Sequence, residues 1–372
     1  MHILYDHQMF SIQKFGGISR IFIELMRELS AELECSIHWH RGLHIDEYDI
    51  SDYSKRLKRY WAFQKVPFLL HKRINEKINK LSFKWFVRLF GRQYDIYHPT
   101  YYDPSLLEIA KAKKNVITIH DMIPEKYLFS LSKFQKLIED RKYLVERADL
   151  IFVNSKNTQN DLEEILKVDS KKVLITYWAT RMKEQKTVEL PDICLNKPYF
   201  LYAGTRSKYK NFEVLMKAFA IDHWLKSNFQ VVCFGGTSGF IKPELKFLED
   251  HSLMDNFIYL NGNDDLLKTL YINTQALIST SRYEGFGLTL LEAMACGCPV
   301  ICCQTSSIPE VVSDAALFFD PDSPLELAQY MRKVVEDEEK KAEMIQKGLN
   351  RANLFSWKKT AKQTLNGYKT II

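Results

Sequence analysis

Two carboxylates, Glu284 and Glu292, flank the run Gly285-Phe286-Gly287-Leu288-Thr289, where a strand gives way to a helix from about Leu288. A helix opening there leaves bare N–H groups at Leu288 and Thr289. Together with the helix dipole they attract an anion such as a phosphate. Glu292, one turn into that helix, can accept both hydroxyls of a cis-diol of the kind a ribose presents. The pattern also suits a surface helix whose early glutamate complements the dipole. The coincidence of two glycines with two acids favours the ligand.

Other strand ends carry parts of the same chemistry. Arg206 and Lys210 follow Gly204-Thr205, where two cations on one loop either clamp a diphosphate through charge-assisted hydrogen bonds or form a solvated face. Gly16 and Gly17 open a helix and allow a phosphate to approach the backbone, although an ordinary glycine turn reads the same way. His120 closes the strand from Val116, a place from which an imidazole either serves a hydroxyl or satisfies a structural contact. Gly235, Asn261 and His98 also stand just past strands, His98 as a candidate contact for an acceptor. Asp320-Pro321-Asp322 reads as a turn. No metal site is expected.

The elements that position these residues alternate along the whole chain. Strands are expected at 2–6, 35–39, 94–98, 116–120, 150–154 and 173–177, then at 199–203, 229–234, 257–260, 276–280, 299–303 and 316–319. Helical patterns fill most gaps, the signature of parallel sheets built from βαβ units. Between the first two strands Ile18, Ile21, Phe22, Leu25, Met26, Leu29 and Leu33 recur at helical spacing. In open parallel sheets ligands bind beyond the carboxyl ends of the strands, which is where the candidate residues fall. The stretch from Thr180 to Pro198 is polar and punctuated by prolines. It divides the chain into a Rossmann-like domain over 1–185, a second over 186–354, and a closing helix over 355–372.

A net charge of +6 over 372 residues, with 46% apolar residues, describes a packed globular protein. The charge is unevenly placed. Residues 55–92 hold twelve Lys or Arg against one acid, Glu76, so the rest of the chain carries −5. Lys55, Arg56, Lys58 and Arg59 lead this segment, which also holds Trp61, Phe63, Trp85 and Phe86. Basic residues interleaved with aromatics suit an anionic membrane surface or a lipid-linked acceptor; a solvated basic helix packed by its aromatic stripe is the alternative. No run of about 18 apolar residues suggests a membrane-crossing helix. Met1 to Asp6 reads as a strand rather than a leader, so a cytoplasmic protein is expected, at most at the inner face of the membrane. The seven cysteines lack metal spacing and read as reduced, mostly buried thiols. No G-x-G-x-x-G follows the first strand, which argues against a nicotinamide-dependent oxidoreductase. No nucleic-acid recognition module accompanies the basic segment.

Taken together, these residues resemble a family 4 glycosyltransferase. The resemblance runs through Gly16-Gly17-Ile18-Ser19-Arg20, Ile119-His120-Asp121-Met122-Ile123-Pro124, Ala148 to Ser155 and Tyr202 to Asn211. It is strongest at Tyr283 to Ala295, where two glutamates are separated by seven residues. It implies an α/β, GT-B architecture of two facing Rossmann-like domains, the first binding the acceptor and the second the donor, with the last helix crossing back to the first. It also implies a retaining transfer from a UDP- or GDP-sugar, without metal or other cofactor, to a glycan or lipid-linked acceptor in surface polysaccharide assembly. Glu292 would then hold the ribose, Arg206 and Lys210 the diphosphate, and Glu284 the hydroxyls of the transferred sugar, with His120 facing that sugar and Gly17 the phosphate. Gly16, Gly235, Asn261, Gly285, Phe286, Gly287, Leu288 and Thr289 would complete the nucleotide-sugar site. Thr289 replaces a common proline, and Ile175-Thr176-Tyr177-Trp178-Ala179 replaces a usual Asn-Gly turn, which bears on acceptor shape. A catalytically silent nucleotide-sugar-binding subunit is the non-enzyme alternative, opposed by the intact set of Glu284, Glu292, Arg206, Lys210 and His120.

Overall fold

Thirteen short strands and fifteen helices alternate in a computed structural model that describes residues 1–12, 16–32, 34–45, 57–59, 72–89, 93–183, 195–236 and 239–372. The chain divides into two compact units. The first comprises Met1–Trp178 with Ser356–Ile372, and the second Ala179–Phe355.

The first unit holds β1 (His2–Tyr5), α1 (Gly17–Ala31), β2 (Ser36–Trp39), β3 (Leu57–Arg59), α2 (Lys72–Leu89), β4 (Ile96–Tyr97), α3 (Ser105–Ala110), β5 (Lys114–Ile119), α4 (Ile123–Tyr127), α5 (Ser132–Arg147), β6 (Leu150–Val153), α6 (Lys156–Leu166) and β7 (Val173–Ile175). The second holds β8 (Tyr199–Ala203), α7 (Phe212–Ile221), α8 (His223–Asn228), β9 (Gln230–Phe234), α9 (Lys242–Asp250), β10 (Phe257–Leu260), α10 (Asp264–Asn273), β11 (Leu277–Ser279), α11 (Leu288–Ala295), β12 (Val300–Cys303), α12 (Ile308–Val312), β13 (Ala316–Phe319), α13 (Pro324–Glu336) and α14 (Glu338–Ala352). The last helix, α15 (Trp357–Thr370), belongs to the first unit.

Both sheets are parallel throughout. The first runs β3-β2-β1-β4-β5-β6-β7 and the second β10-β9-β8-β11-β12-β13. In each, strand order reverses beside the first strand of the unit, between β1 and β4 and between β8 and β11. Such a reversal opens a crevice at the strand ends, because the following helices leave to opposite faces. Central strands are buried on both faces and read as apolar runs, as at Leu150-Ile151-Phe152-Val153 and Val300-Ile301-Cys302-Cys303.

The amphipathic stripe of α1 buries Phe22, Leu25, Met26 and Leu29 against the sheet and against Ala361, Leu365 and Tyr368 of α15. Gly367 makes that seat possible, since a Cβ there would meet Phe152 and Leu174 at 2.9 Å. The strand β3 was not expected from sequence. Its Leu57-Lys58-Arg59 is too short and too charged for a β pattern, and only pairing to Ile37, His38 and Trp39 reveals it. Lys58 and Arg59 therefore lie on an edge strand, while Lys55 and Arg56 fall outside the described residues. Six cysteines are buried, free thiols; Cys194 lies outside the described residues.

Candidate functional site

In the second unit the two strands at the reversal point, β8 and β11, each send a loop over the sheet edge, and the loops are tied together. Thr280 Oγ1 donates to the Lys210 carbonyl at 2.6 Å, and the Arg282 N–H donates to the Tyr209 carbonyl at 2.9 Å. This brings Lys210 Nζ to 2.6 Å from Glu284 Oε1, both side chains largely buried. Ser281 Oγ donates to the same carboxylate oxygen at 2.6 Å. The residues assigned separately to a diphosphate and to a sugar thus form one ion pair.

The loop from Ser281 to Gly287 is braced from the neighbouring strand end. The Glu284 N–H donates to Ser306 Oγ at 2.8 Å. Ser307 Oγ reaches the carbonyls of Glu284 and Phe286 at 2.9 and 3.0 Å, and Thr305 Oγ1 reaches that of Ser281 at 2.8 Å. Thr305, Ser306 and Ser307 were not among the sequence candidates. Three hydroxyls directly after a strand, ahead of Pro309, are the signal that marks them. Gly287 has φ +101°, and a Cβ there would meet Leu290 Cδ1 at 2.9 Å, so only glycine turns the chain into α11 without strain. Gly285 is not left-handed, so the expected freedom of the loop resides in Gly287 alone. From this turn α11 begins with Leu288 and Thr289, whose N–H groups precede the first intrahelical bond. Phe286 is buried and packs edge-on against Phe355. Glu292 is 2% exposed, with Oε2 3.4 Å from the Tyr271 hydroxyl.

Beside these loops the ends of β8 and β9 are lined by Gly204, Gly235 and Gly236, at φ +130°, +84° and +89°. Among the described residues, and apart from its chain neighbours, no atom lies within 4 Å of a Cβ built at Gly204, which leaves room for a ligand against the backbone. Asn261 is exposed after β10 and turns its Oδ1 to the Gly262 N–H.

Arg206, a diphosphate clamp in the sequence reading, has partners within the protein. Its guanidinium is committed within the protein: Nε lies 3.1 Å from both Glu244 oxygens and Nη2 donates to the Gly239 carbonyl at 2.6 Å. The rings of Phe212, Phe240 and Tyr259 surround it at 5.0 to 5.6 Å, and its side chain is 7% exposed. Glu244 in turn accepts from the Ile241 N–H at the start of α9. A buried charge needs such a partner, and the partner sits 38 residues away, beyond local sequence patterning. Arg206 positions the β8 loop. Asp320-Pro321-Asp322 forms the expected turn: Asp320 Oδ1 accepts from the Asp322 N–H, and Asp322 pairs with Arg282.

In the first unit the structure corrects His98. Instead of facing an acceptor it is fully buried, Nδ1 at 2.6 Å from the Tyr368 hydroxyl and Nε2 at 2.8 Å from Thr118 Oγ1, and burial holds its pKa down at about 3. Tyr368 also meets the Tyr5 hydroxyl at 2.7 Å, so His98 locks α15 to the sheet. His120 lies at the end of β5 between Phe22, Tyr102 and Trp178. Its pKa falls to about 3, first through burial and then through Arg141 and His98. The imidazole is neutral, with Nδ1 buried and unpartnered. A neutral imidazole can donate through one nitrogen and accept through the other. Asn154 Nδ2 donates to the His120 carbonyl at 2.7 Å, and buried Arg141 bonds the Asp121 carbonyl and faces Glu125 at 3.3 Å. Arg141 was missed because it sits mid-helix in an ordinary polar pattern. Gly16 is extended at φ −175° and Gly17 opens α1, so neither position demands glycine. Asp6, at the reversal point, is a buried carboxylate accepting from Thr100, Tyr97 and Gln8; burial raises its pKa.

Residues 15–178 match the profile of Glycosyltransferase Family 4, and residues 183–351 match that of Glycosyl transferases group 1. The chain belongs to the family 4 glycosyltransferases. This family 4 chain is 26% identical to O-antigen chain mannosyltransferase B of Escherichia coli, over 95% of its own length and 96% of the relative's. It is also 26% identical to the N-acetylgalactosamine-N,N'-diacetylbacillosaminyl-diphospho-undecaprenol 4-alpha-N-acetylgalactosaminyltransferase of Campylobacter jejuni, over 82% and 80%. The crystal structure of Anabaena HepE in complex with UDP-glucose superposes with a TM-score of 0.73 at 16% identity, covering both chains completely, which shows the shared GT-B fold. Within the family 4 signature the two glutamates stand as Glu284 in the braced loop and Glu292 inside α11.

Proposed function

We propose that the protein is a retaining glycosyltransferase that moves a sugar from a UDP- or GDP-sugar to an acceptor hydroxyl on a lipid-linked or polysaccharide glycan. The observation that carries this is the meeting of Lys210, Glu284, Ser281 and the N-terminus of α11 at the reversal point of the second sheet. One cation, one carboxylate and bare N–H groups on a glycine turn match a sugar attached to a diphosphate.

In the reaction the bond between the anomeric carbon and the diphosphate oxygen breaks, and the bond to the acceptor oxygen forms on the same face. The acceptor proton passes to the departing phosphate oxygen. Lys210 and the N–H groups of Leu288 and Thr289 offset the charge that gathers on the diphosphate, the role a divalent cation plays elsewhere. Glu284 accepts from the hydroxyls of the sugar and Glu292 from the ribose. His120, neutral at physiological pH, donates to a sugar hydroxyl. Arg206 acts through Glu244 by holding the β8 loop. The E. coli relative is named for O-antigen chains and the Campylobacter relative for a diphospho-undecaprenol glycan, which supports surface polysaccharide assembly. HepE was crystallised with UDP-glucose, which supports a nucleotide-sugar donor.

Incubation with UDP- and GDP-hexoses, with and without a metal chelator, tests the proposal. Chelator-resistant nucleotide release that Glu284→Ala abolishes supports it. Donor binding without any turnover marks a silent subunit instead.

A further inference from the structure

Beyond β1 and β4, the strands between which the first sheet reverses order, lies a cleft of about 740 Å³ that the reaction described above does not use. That volume suits a small-molecule site, and a reversal point is where open parallel sheets take ligands. His7 follows β1, Tyr101 and Tyr102 follow β4, and all three line the cleft. The buried Asp6 carboxylate ties the two strand ends together. It accepts from Thr100 Oγ1 at 2.6 Å and from Gln8 Nε2 at 2.7 Å, and Gln8 Oε1 accepts from the Asp103 N–H at 2.8 Å. The walls are thereby set before any ligand arrives.

His7 is 6% exposed, its ring 5.3 Å from that of His40 and 6.0 Å from that of Phe83. Its Nδ1 is buried and has no hydrogen-bond partner among the described residues. Burial lowers its pKa to about 4, so the imidazole is neutral. A neutral ring offers one donor and one acceptor, the complement of a hydroxyl. Tyr101 is half-buried, its ring 4.7 Å from that of Tyr102. A tyrosine face is an apolar platform with a polar tip. The charges of the lining cancel, Lys80, Lys133 and Lys136 standing against Glu76, Asp103 and Asp140, with Lys136 paired to Asp140 at 3.1 Å. A balanced lining focuses no field on an anion. The Tyr102 ring also stands 6.2 Å from that of His120, so the cleft backs onto the residue that faces the transferred sugar in the proposed reaction.

From this arrangement we infer that the cleft selects the acceptor by seating an uncharged sugar at the growing end of the acceptor glycan, its apolar face on Tyr101 and a hydroxyl on His7. Calling this glycan the acceptor rests on the transferase reading. The choice of a neutral sugar over a diphosphate or an acidic sugar comes from the cleft itself.

Surface plasmon resonance on the full chain, without donor, tests the cleft with methyl glycosides of neutral disaccharides of manno, gluco and galacto configuration, with and without 2-acetamido groups. The matching uronic acids and inorganic diphosphate serve as competitors, and UDP and GDP are titrated in parallel. At least one neutral disaccharide binds, salt changes its affinity by no more than about twofold, and neither competitor displaces it. Tyr101→Ala and His7→Phe each weaken it roughly tenfold, the loss of a stacking platform or of one hydrogen bond. Tyr101 is half-buried, so Tyr101→Ala decides the matter should His7→Phe fail to fold. Binding of UDP or GDP with no neutral disaccharide bound, displacement by the uronic acid or by diphosphate, or full affinity in Tyr101→Ala overturns the inference. A disaccharide lost from Tyr101→Ala in a protein that binds neither nucleotide supports the cleft and counts against the transferase reading instead.

Discussion

Lys210 Nζ and Glu284 Oε1 stand 2.6 Å apart across the ends of β8 and β11, the two strands at which the second sheet reverses order. The pair is made by ties from the Thr280 hydroxyl and the Arg282 N–H and is shielded from water, so each charge is worth more there than on an open surface. A ligand that carries a diphosphate and sugar hydroxyls offers each partner a replacement: anionic oxygens for the ammonium and hydroxyl donors for the carboxylate.

Lys210→Met and Glu284→Gln each reduce transfer by on the order of a hundredfold or more, the usual cost of losing one group aimed at developing charge. Because the two side chains share one contact, the double variant loses less than the product of the single losses. Single-turnover rates on the four proteins check this.

Arg206 and Glu244 form a buried pair, with side chains 7 and 8% exposed. Removing one partner leaves the other charge uncompensated. Arg206→Met or Glu244→Met alone is therefore expected to destabilise the second unit by about 3 kcal/mol, while the double substitution costs clearly less. Urea unfolding measures both.

Gly287→Ala places a Cβ where Leu290 already sits and forces alanine to φ +101°. A stability loss of about 1 to 3 kcal/mol follows. The misaimed N-terminus of α11 also weakens nucleotide binding, which calorimetry with UDP and GDP reads directly.

His98 has a folded pKa of about 3 against an ordinary 6.5, lowered by burial. The unfolded chain thus takes up the proton first. The contribution of His98 to stability is complete above about pH 6.5 and is lost as pH falls toward 3, amounting to about 2 kcal/mol at pH 5. Asp6, whose pKa burial raises, works in the opposite direction. Comparing wild type with His98→Asn between pH 5 and 7 isolates the histidine: the wild type shows the steeper loss.

The alternation of strands and helices, the placing of candidate residues just past strand ends and the Glu284 to Glu292 spacing were legible because each is local: an apolar run, a glycine turn, a spacing. What escaped was set by distant partners. His98 reads as a strand-end histidine placed to contact an acceptor until Tyr368, 270 residues later, covers it. Arg206 reads as a free cation until Glu244 claims it. The strand β3 exists only through its pairing with β2, and the braces Thr305, Ser306 and Ser307 act on a loop some twenty residues upstream.

Release of UDP or GDP from a panel of nucleotide sugars, by wild type and by Glu284→Ala, with the anomeric configuration of the product read by proton NMR, tests the account most directly. It predicts release from at least one UDP- or GDP-sugar with the donor's configuration kept in the product, and loss of that release in Glu284→Ala while nucleotide binding persists. An inverted product, or a Glu284→Ala variant as active as the wild type, contradicts it.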